Sequence, residues 1–203
     1  MCVSRCLRCV GVALVPMAIV CMLCNTLLLF PELKPHFLLE KHVTREATWA
    51  TGLWASGLMV CTSTEPHWIF TSPPSQVCVC VQMLCQALYS GLAFLAAAGC
   101  CLVSTTGLIQ GPMCLYNTSS GLTWGVPLKF LGYLHNRTLW SGVCLEPKSV
   151  VQWNMVLFSV MAGTSALEAV LCAVNILNAL FGLVLDICEY GQPLTPPPPP
   201  PRG

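Results

Sequence analysis

Residues 155–185 read MVLFSVMAGTSALEAVLCAVNILNALFGLVL, and Glu168 is the one charged side chain among them. A helix of about 20 apolar residues crosses the hydrocarbon core of a bilayer, so this run is long enough to span a membrane. The segment before it, Gly111 to Asn154, is polar. It holds two cysteines, Cys114 and Cys144, and two Asn-x-Ser/Thr triplets, at Asn117 and Asn136. Glycosylation triplets and a cysteine pair belong together on an oxidising side of a membrane. The stretch therefore reads as an external loop followed by a helix returning to the cytosol, with one disulfide expected between Cys114 and Cys144.

Composition agrees with that reading. The chain of 203 residues is 55% hydrophobic and 8% charged, where a soluble domain carries about 25% charged residues. The deficit marks an integral membrane protein before any span is drawn. The net charge is +1 and no basic stripe occurs, so a nucleic-acid partner is not expected. The partners expected from composition are membrane lipids.

The chain divides as follows. Residues 1–9 form a cytosolic N-terminus with Arg5 and Arg8, and 10–30 form transmembrane helix 1. This span is read as an uncleaved signal anchor, because the apolar run exceeds a signal-peptide core and no small-x-small cleavage site follows. Pro16 then falls within its first two turns, where a missing N–H is tolerated. Asn25 is its strongly polar side chain. Residues 31–46 are a short external loop whose His36 and His42 read as solvated. Residues 47–61 form a short transmembrane helix 2, below the roughly 17–25 residues of an ordinary span. Trp49 suits its interface, and Gly52 with Ser56 lets another helix approach closely. Residues 62–76 are a cytosolic loop. Residues 77–109 form transmembrane helix 3, with a polar stripe of Gln82, Gln86, Tyr89 and Ser90 at helical spacing. Residues 110–154 form the large external loop, 155–185 transmembrane helix 4, and 186–203 a proline-rich cytosolic tail. The fold class expected is an all-α integral membrane four-helix bundle with a large disulfide-bearing external loop between helices 3 and 4.

The bases do not follow the positive-inside trend. Arg5, Arg8 and Arg202 lie inside, against Lys34, Lys41, Arg45, Lys129, Arg137 and Lys148 outside. Arg5 and Arg8 directly precede the first span, which usually dominates orientation.

Several motifs resemble the four-span L-six antigen family of membrane proteins. In the large loop these are Gly111-Pro112-Met113-Cys114, Tyr133-Leu134, Asn136-Arg137-Thr138-Leu139-Trp140 and Cys144-Leu145-Glu146-Pro147. At the entry to the last span they are Val150-Val151, Trp153-Asn154 and Leu157-Phe158-Ser159, continued by Leu167-Glu168, Leu171-Cys172, Asn178 and Gly182. Near the N-terminus they are Met1-Cys2, Arg5-Cys6, Arg8-Cys9-Val10-Gly11 and Leu27-Leu28-Leu29-Phe30-Pro31. The resemblance covers 1–61 and 99–188, and stops between Thr62 and about Val81 and in the tail. The family's longer second span and its cysteine- and glycine-rich cytosolic loop are missing there. Tetraspanins proper carry Cys-Cys-Gly in their large loop. Here Cys100-Cys101 is followed by Leu102 and lies inside a span, which disfavours that family.

Fifteen cysteines sort by side. Cys2, Cys6 and Cys9 are juxtamembrane and are candidates for S-palmitoylation, an alternative to plain reduced thiols that the resemblance favours. Cys6-x-x-Cys9 has ligand spacing but no second ligand pair, so no metal or other cofactor is expected. Cys78, Cys80, Cys100 and Cys101 read as small helix residues. In the tail, Pro197-x-x-Pro200-x-Arg202 has the form of an SH3-domain ligand, the plainer reading being a solvated proline-rich segment without a partner.

At about 100° per residue, Thr164, Glu168, Cys172, Asn175 and Asn178 share one face of the last span. A carboxylate at that depth is costly and should face the bundle. Asn25, Gln86, Tyr89 and Ser90 are its candidate partners. The face reads either as a polar clasp fixing helix packing or as a site for a small polar ligand, ion or proton. No catalytic motif joins His36, His42, His67 or His135 to a nucleophile, so an enzyme is not expected. The resemblance implies a protein at the plasma membrane, with endosomal or lysosomal membranes as further locations. It also implies organisation of integrins or receptors in adhesion, migration and growth signalling. The alternative is a small-molecule sensor or transporter subunit using Glu168.

Overall fold

The computed structural model describes residues 2–40, 42–60, 76–119, 121–129, 133–134, 140 and 142–190; side chains are described within 12–184 of that set, Glu32 and 76–83 excepted. The long helices are α1 (Cys2–Leu29), α4 (Gln76–Gln110) and α5 (Val150–Tyr190). Between α1 and α4 lie a 3-10 turn (Pro31–Leu33), two single-turn helices, α2 (His36–Leu39) and α3 (Arg45–Thr48), and a π-helix (Gly52–Met59).

Three stretches among the described residues are long and apolar enough to cross a membrane: Val12–Leu29, Leu84–Gln110 and Val150–Val184. Their outward faces carry bare leucines and valines such as Val12, Leu23, Leu88, Leu95, Val170 and Leu177. Exposed apolar side chains on that scale suit hydrocarbon, not water. The chain is thus a mostly helical membrane bundle.

The segment 47–61, expected as one short helix, is broken. α3 ends at Thr48, Ala50 takes a left-handed φ of +53°, and the π-helix starts at Gly52. It nevertheless packs between α1 and α4, burying Gly52, Ala55, Ser56, Gly57 and Val60. A Cβ added at Gly52 would lie 2.7 Å from Met161 Sδ and 2.8 Å from the Cys21 carbonyl oxygen, so only glycine permits this approach. Pro16 is interior to α1; the helix starts at Cys2, so the proline lies beyond its first two turns.

α5 starts at Val150, ahead of the expected Met155. Val150 and Val151 are buried against Cys114, Leu128, Tyr133 and Cys144 of the large loop, which extends the helix into the loop layer. At about 1.5 Å per residue, 41 residues span roughly 60 Å, about twice a hydrocarbon core.

The large loop carries regular structure of its own. Strands β1 (Cys114–Thr118) and β2 (Gly121–Gly125) form an antiparallel hairpin, with Leu115 opposite Trp124 and Asn117 opposite Leu122. The Leu115 N–H donates to the Glu146 carbonyl (3.0 Å) and Leu145 N–H to the Leu115 carbonyl (2.8 Å). The disulfide Cys114–Cys144 joins the same two chain segments across a sequence separation of 30. Gly111, at φ +83°, ends α4 and donates its N–H to the Gly107 carbonyl, a left-handed cap that glycine adopts at no steric cost. The Tyr133 hydroxyl donates to the Leu108 carbonyl in that last turn. Burial pushes the Tyr133 phenol up to about 12. The folded state therefore holds this proton above the ordinary value of about 10. The stabilisation is complete below that value and fades as pH rises from it through about 12.

Two predictions follow from packing. Gly107 faces Phe158, whose ring would lie 2.7 Å from an added Cβ, whereas nothing lies within 4 Å of one at Gly91. Gly107→Val should destabilise the detergent-solubilised protein by about 1–3 kcal/mol, and Gly91→Ala should leave its thermal unfolding unchanged or slightly raised. Cys114→Ser and Cys144→Ser each open a loop worth about 3–4 kcal/mol in the chain-entropy model. Both should cut the yield of folded protein, read by size-exclusion of the solubilised chain.

Candidate functional site

The polar side chains of the bundle form two connected contacts around the π-helix and a third nearer the other end. Glu168 of α5 is fully buried. Ser56 of the π-helix donates its hydroxyl to Glu168 Oε2, and the Cys21 thiol of α1 lies 3.9 Å from Oε1. Cys21 Sγ is also 3.0 Å from the Thr164 hydroxyl, one helical turn before Glu168. Three segments thus converge on one carboxyl group. A carboxyl group in hydrocarbon is retained where donors surround it, and a hydroxyl with a weak thiol donor fulfils that need here.

Asn25 serves a different purpose from the one expected. Its amide does not pair with Glu168 but bridges the break at Ala50. Asn25 Nδ2 donates to the Ala47 carbonyl (3.2 Å), and the Gly52 N–H donates to Asn25 Oδ1 (3.0 Å). The Ala47 carbonyl also accepts from the Ala50 N–H (3.1 Å), so the group that the break leaves to a side chain is the Gly52 N–H, which finds no water inside a bilayer. The Asn25 amide supplies that acceptor and adds a second donor to Ala47.

The third contact joins α4 and α5, where Asn175 Nδ2 donates to Ser90 Oγ at 2.6 Å. Ser90 was an expected member of the polar stripe. Asn178 and Gln86 are half-buried, Tyr89 is exposed and Cys172 is buried. The residues that sequence reasoning missed are Ser56 and Cys21. Cys21 lies one turn before Asn25 on the same face, and Ser56 was read only as a small packing residue. Their hydroxyl and thiol were the available signal.

The loop residues are placed as follows. Cys114 and Cys144 are joined. Asn117 is exposed on β1. Asn136, His67, His135 and the proline-rich tail lie outside the described residues. Cys2, Cys6 and Cys9 occupy the first turns of α1, with side chains outside the described set. His36 is exposed, but His42 is half-buried against Trp124, not simply solvated. No cluster of His, Cys, Asp and Glu suited to a metal occurs among the described residues.

A membrane helix bundle, closed over one end by a disulfide-bonded loop and clasped inside by a buried carboxyl group, defines a class of multi-span membrane protein. The comparisons with known proteins give the particular family. A family model described as L6 membrane protein matches residues 1–189, a range that includes 62–81, where the motifs quoted above stop. Mouse transmembrane 4 L6 family member 19 is 34% identical over 196 residues, covering 93% of this chain and 95% of the relative. Human member 5 is 34% identical over 201 residues, covering 95% and 98%. Human member 1 is 29% identical over 203 residues, covering 93% and 96%. The chain belongs to the L6 membrane protein family. No solved structure matches it.

The contacts rank the polar residues. Glu168→Gln keeps an acceptor for Ser56 and should change stability little. Glu168→Leu leaves Ser56 without that acceptor and should cost about 1–2 kcal/mol. Asn25→Leu leaves the buried Gly52 N–H without its acceptor and should cost at least as much, about 2–3 kcal/mol. Thermal unfolding of the three variants in one detergent checks the order.

Proposed function

We propose that this chain is a non-enzymatic membrane protein that organises or regulates other membrane proteins, acting at the plasma membrane in adhesion, migration and growth signalling. The observation that carries this reading is that Glu168 is fully buried and engaged by Ser56 and Cys21. Its chemistry goes into holding three segments together. The surface left for other molecules is the apolar outer belt, which meets lipids and neighbouring spans, together with the loop layer. Integrins and receptors are the partners proposed from the family resemblance. The tail offers an SH3-type ligand, and Cys2, Cys6 and Cys9 are proposed acylation sites that tune lateral partitioning.

Proximity labelling of the full chain in cells tests the organiser. Receptors and adhesion proteins should dominate the inventory, and Glu168→Gln should leave it unchanged. Loss of a small-molecule uptake or binding activity in Glu168→Gln, with trafficking intact, would instead establish the sensor or transporter reading.

The proposed orientation puts both loops outside. Asn117 is exposed in the hairpin, close in sequence to the end of α4. Asn136 lies farther along the loop and is the better acceptor for the luminal transferase. Wild type should lose mass on glycosidase treatment, and Asn136→Gln should remove most of the shift. A membrane-integrated protein without glycan at either site overturns the orientation.

A further inference from the structure

The outward face of the segment between α1 and α4 carries a bare cation followed by two bare indoles. The Arg45 guanidinium lies over the Trp49 ring, 5.9 Å from its centroid. Trp49 and Trp54 are each about half exposed, and Trp54 Nε1 donates to the Trp49 carbonyl at 3.0 Å, which ties the second indole to the backbone of the first. One turn further along the π-helix, Leu58 and Met59 are exposed as well. The Thr48 hydroxyl donates to the Arg45 carbonyl (2.7 Å) and leaves the guanidinium untouched. Among the described residues no carboxylate forms an ion pair with Arg45, its half-buried neighbour Glu46 included.

We propose that Arg45, Trp49 and Trp54 form a binding site for a membrane glycerophospholipid, with the guanidinium on its phosphate and an acyl chain along Trp54 and Leu58. The depth of these residues follows from contacts with α1. The Ala47 carbonyl accepts from Asn25, and Ala47 packs against Cys24 and Leu28. Those residues belong to the last two turns of the apolar stretch Val12–Leu29. Arg45, two residues before Ala47, therefore stands where α1 leaves the hydrocarbon, which is the level of the lipid phosphates. Trp54, Leu58 and Met59 lie on the path into the bilayer. The order from cation to indole to aliphatic chain repeats the order from phosphate to glycerol to acyl chain in the lipid.

Charge and chemistry both select this occupant. A planar guanidinium matches two phosphate oxygens at once, and stacking on Trp49 holds its plane without consuming its N–H donors. Indoles favour the boundary between headgroups and hydrocarbon, where one edge is wet and the ring is not. A soluble anion would satisfy Arg45 but leave Trp54, Leu58 and Met59 bare. The site also gives the short segment a means of fixing its depth that its length does not supply, since a span of 15 residues is below the roughly 17–25 of an ordinary one. The proposal is independent of the organiser reading. The orientation proposed above decides only which leaflet supplies the lipid, the outer one.

The test uses the full chain in dodecyl maltoside micelles and lipids whose acyl chains carry bromine, a contact quencher of tryptophan. The difference between wild type and Trp54→Phe isolates the emission of this face. That emission should be half-quenched at an about tenfold lower mole fraction of brominated phosphatidylcholine than of brominated diacylglycerol, which has the same chains and no phosphate. In the Arg45→Gln background the two lipids should share one midpoint, with the elution volume of the solubilised chain unchanged. Glycerophosphocholine, which has the headgroup and no chains, should leave the quench in place. Equal midpoints for the two lipids in wild type would overturn the proposal, and that comparison needs no Arg45 variant should Arg45→Gln misfold. A preference for phosphatidylcholine that persists in folded Arg45→Gln would overturn it too. Displacement of the lipid by an equal concentration of glycerophosphocholine would assign the site to a free phosphate ester and overturn the lipid.

Discussion

The hydrogen bond from Ser56 to Glu168 sets the terms for the rest of the bundle. A carboxyl group without solvent contact needs donors, and in this chain they come from segments far apart in sequence. Bringing Ser56 to α5 requires the π-helix to enter the bundle. That entry requires glycine at position 52, where a side chain would strike Met161 and the Cys21 carbonyl. It also places Cys21 beside Glu168, with Thr164 holding the thiol from the other side. A segment too short for an ordinary span is thereby kept inside by contacts, not by its length.

The break at Ala50 shows how the same constraint acts on the backbone. A left-handed residue between two helical pieces leaves the Gly52 N–H without a backbone acceptor, which hydrocarbon does not forgive. Asn25 accepts from it and donates to the Ala47 carbonyl beside the Ala50 N–H. A π-helix is wider than an α-helix and is favoured by few sequences. Here it carries Gly52 and Ser56 into the bundle, with Ala55, Gly57 and Val60 also buried.

Much of this was legible in the sequence, for physical reasons that differ by element. The spans show as runs nearly free of charge, Glu168 excepted, because hydrocarbon selects against charge residue by residue. The Cys114–Cys144 pair could be read because no other cysteine lies in the sequence between α4 and α5. The polar face of α5 follows from helical arithmetic, since Thr164, Glu168, Cys172 and Asn175 are fixed relative to one another by one helix. The partners were not legible. The rotation of one helix against another is set by packing, so nothing local links Ser56 to a residue 112 positions away. Asn25 was correctly seen as buried and polar, but its partner is backbone at a break that no residue pattern announced. The hairpin was missed because its strands are five residues each, too short for alternation to stand out.

The loop layer and the bundle are joined at the helix ends. Trp153 Nε1 of α5 donates to the Leu27 carbonyl near the end of α1 (3.1 Å), an acceptor it shares with the Phe30 N–H (3.2 Å). Tyr133 closes the last turn of α4 in the same way, and Val150 and Val151 carry α5 into the loop core. The large loop is further closed on itself by the disulfide and by the bridge from Leu115 to Leu145 and Glu146. These are covalent or hydrogen-bonded ties. The short loop meets the hairpin instead through rings, at His42 and Phe37 on Trp124. Ring stacking is worth about 0.5–1.5 kcal/mol beyond the area it buries, well below what the disulfide contributes to the large loop. The softest joint of the layer is therefore this aromatic contact, which neither a covalent bond nor a backbone hydrogen bond reinforces among the contacts described.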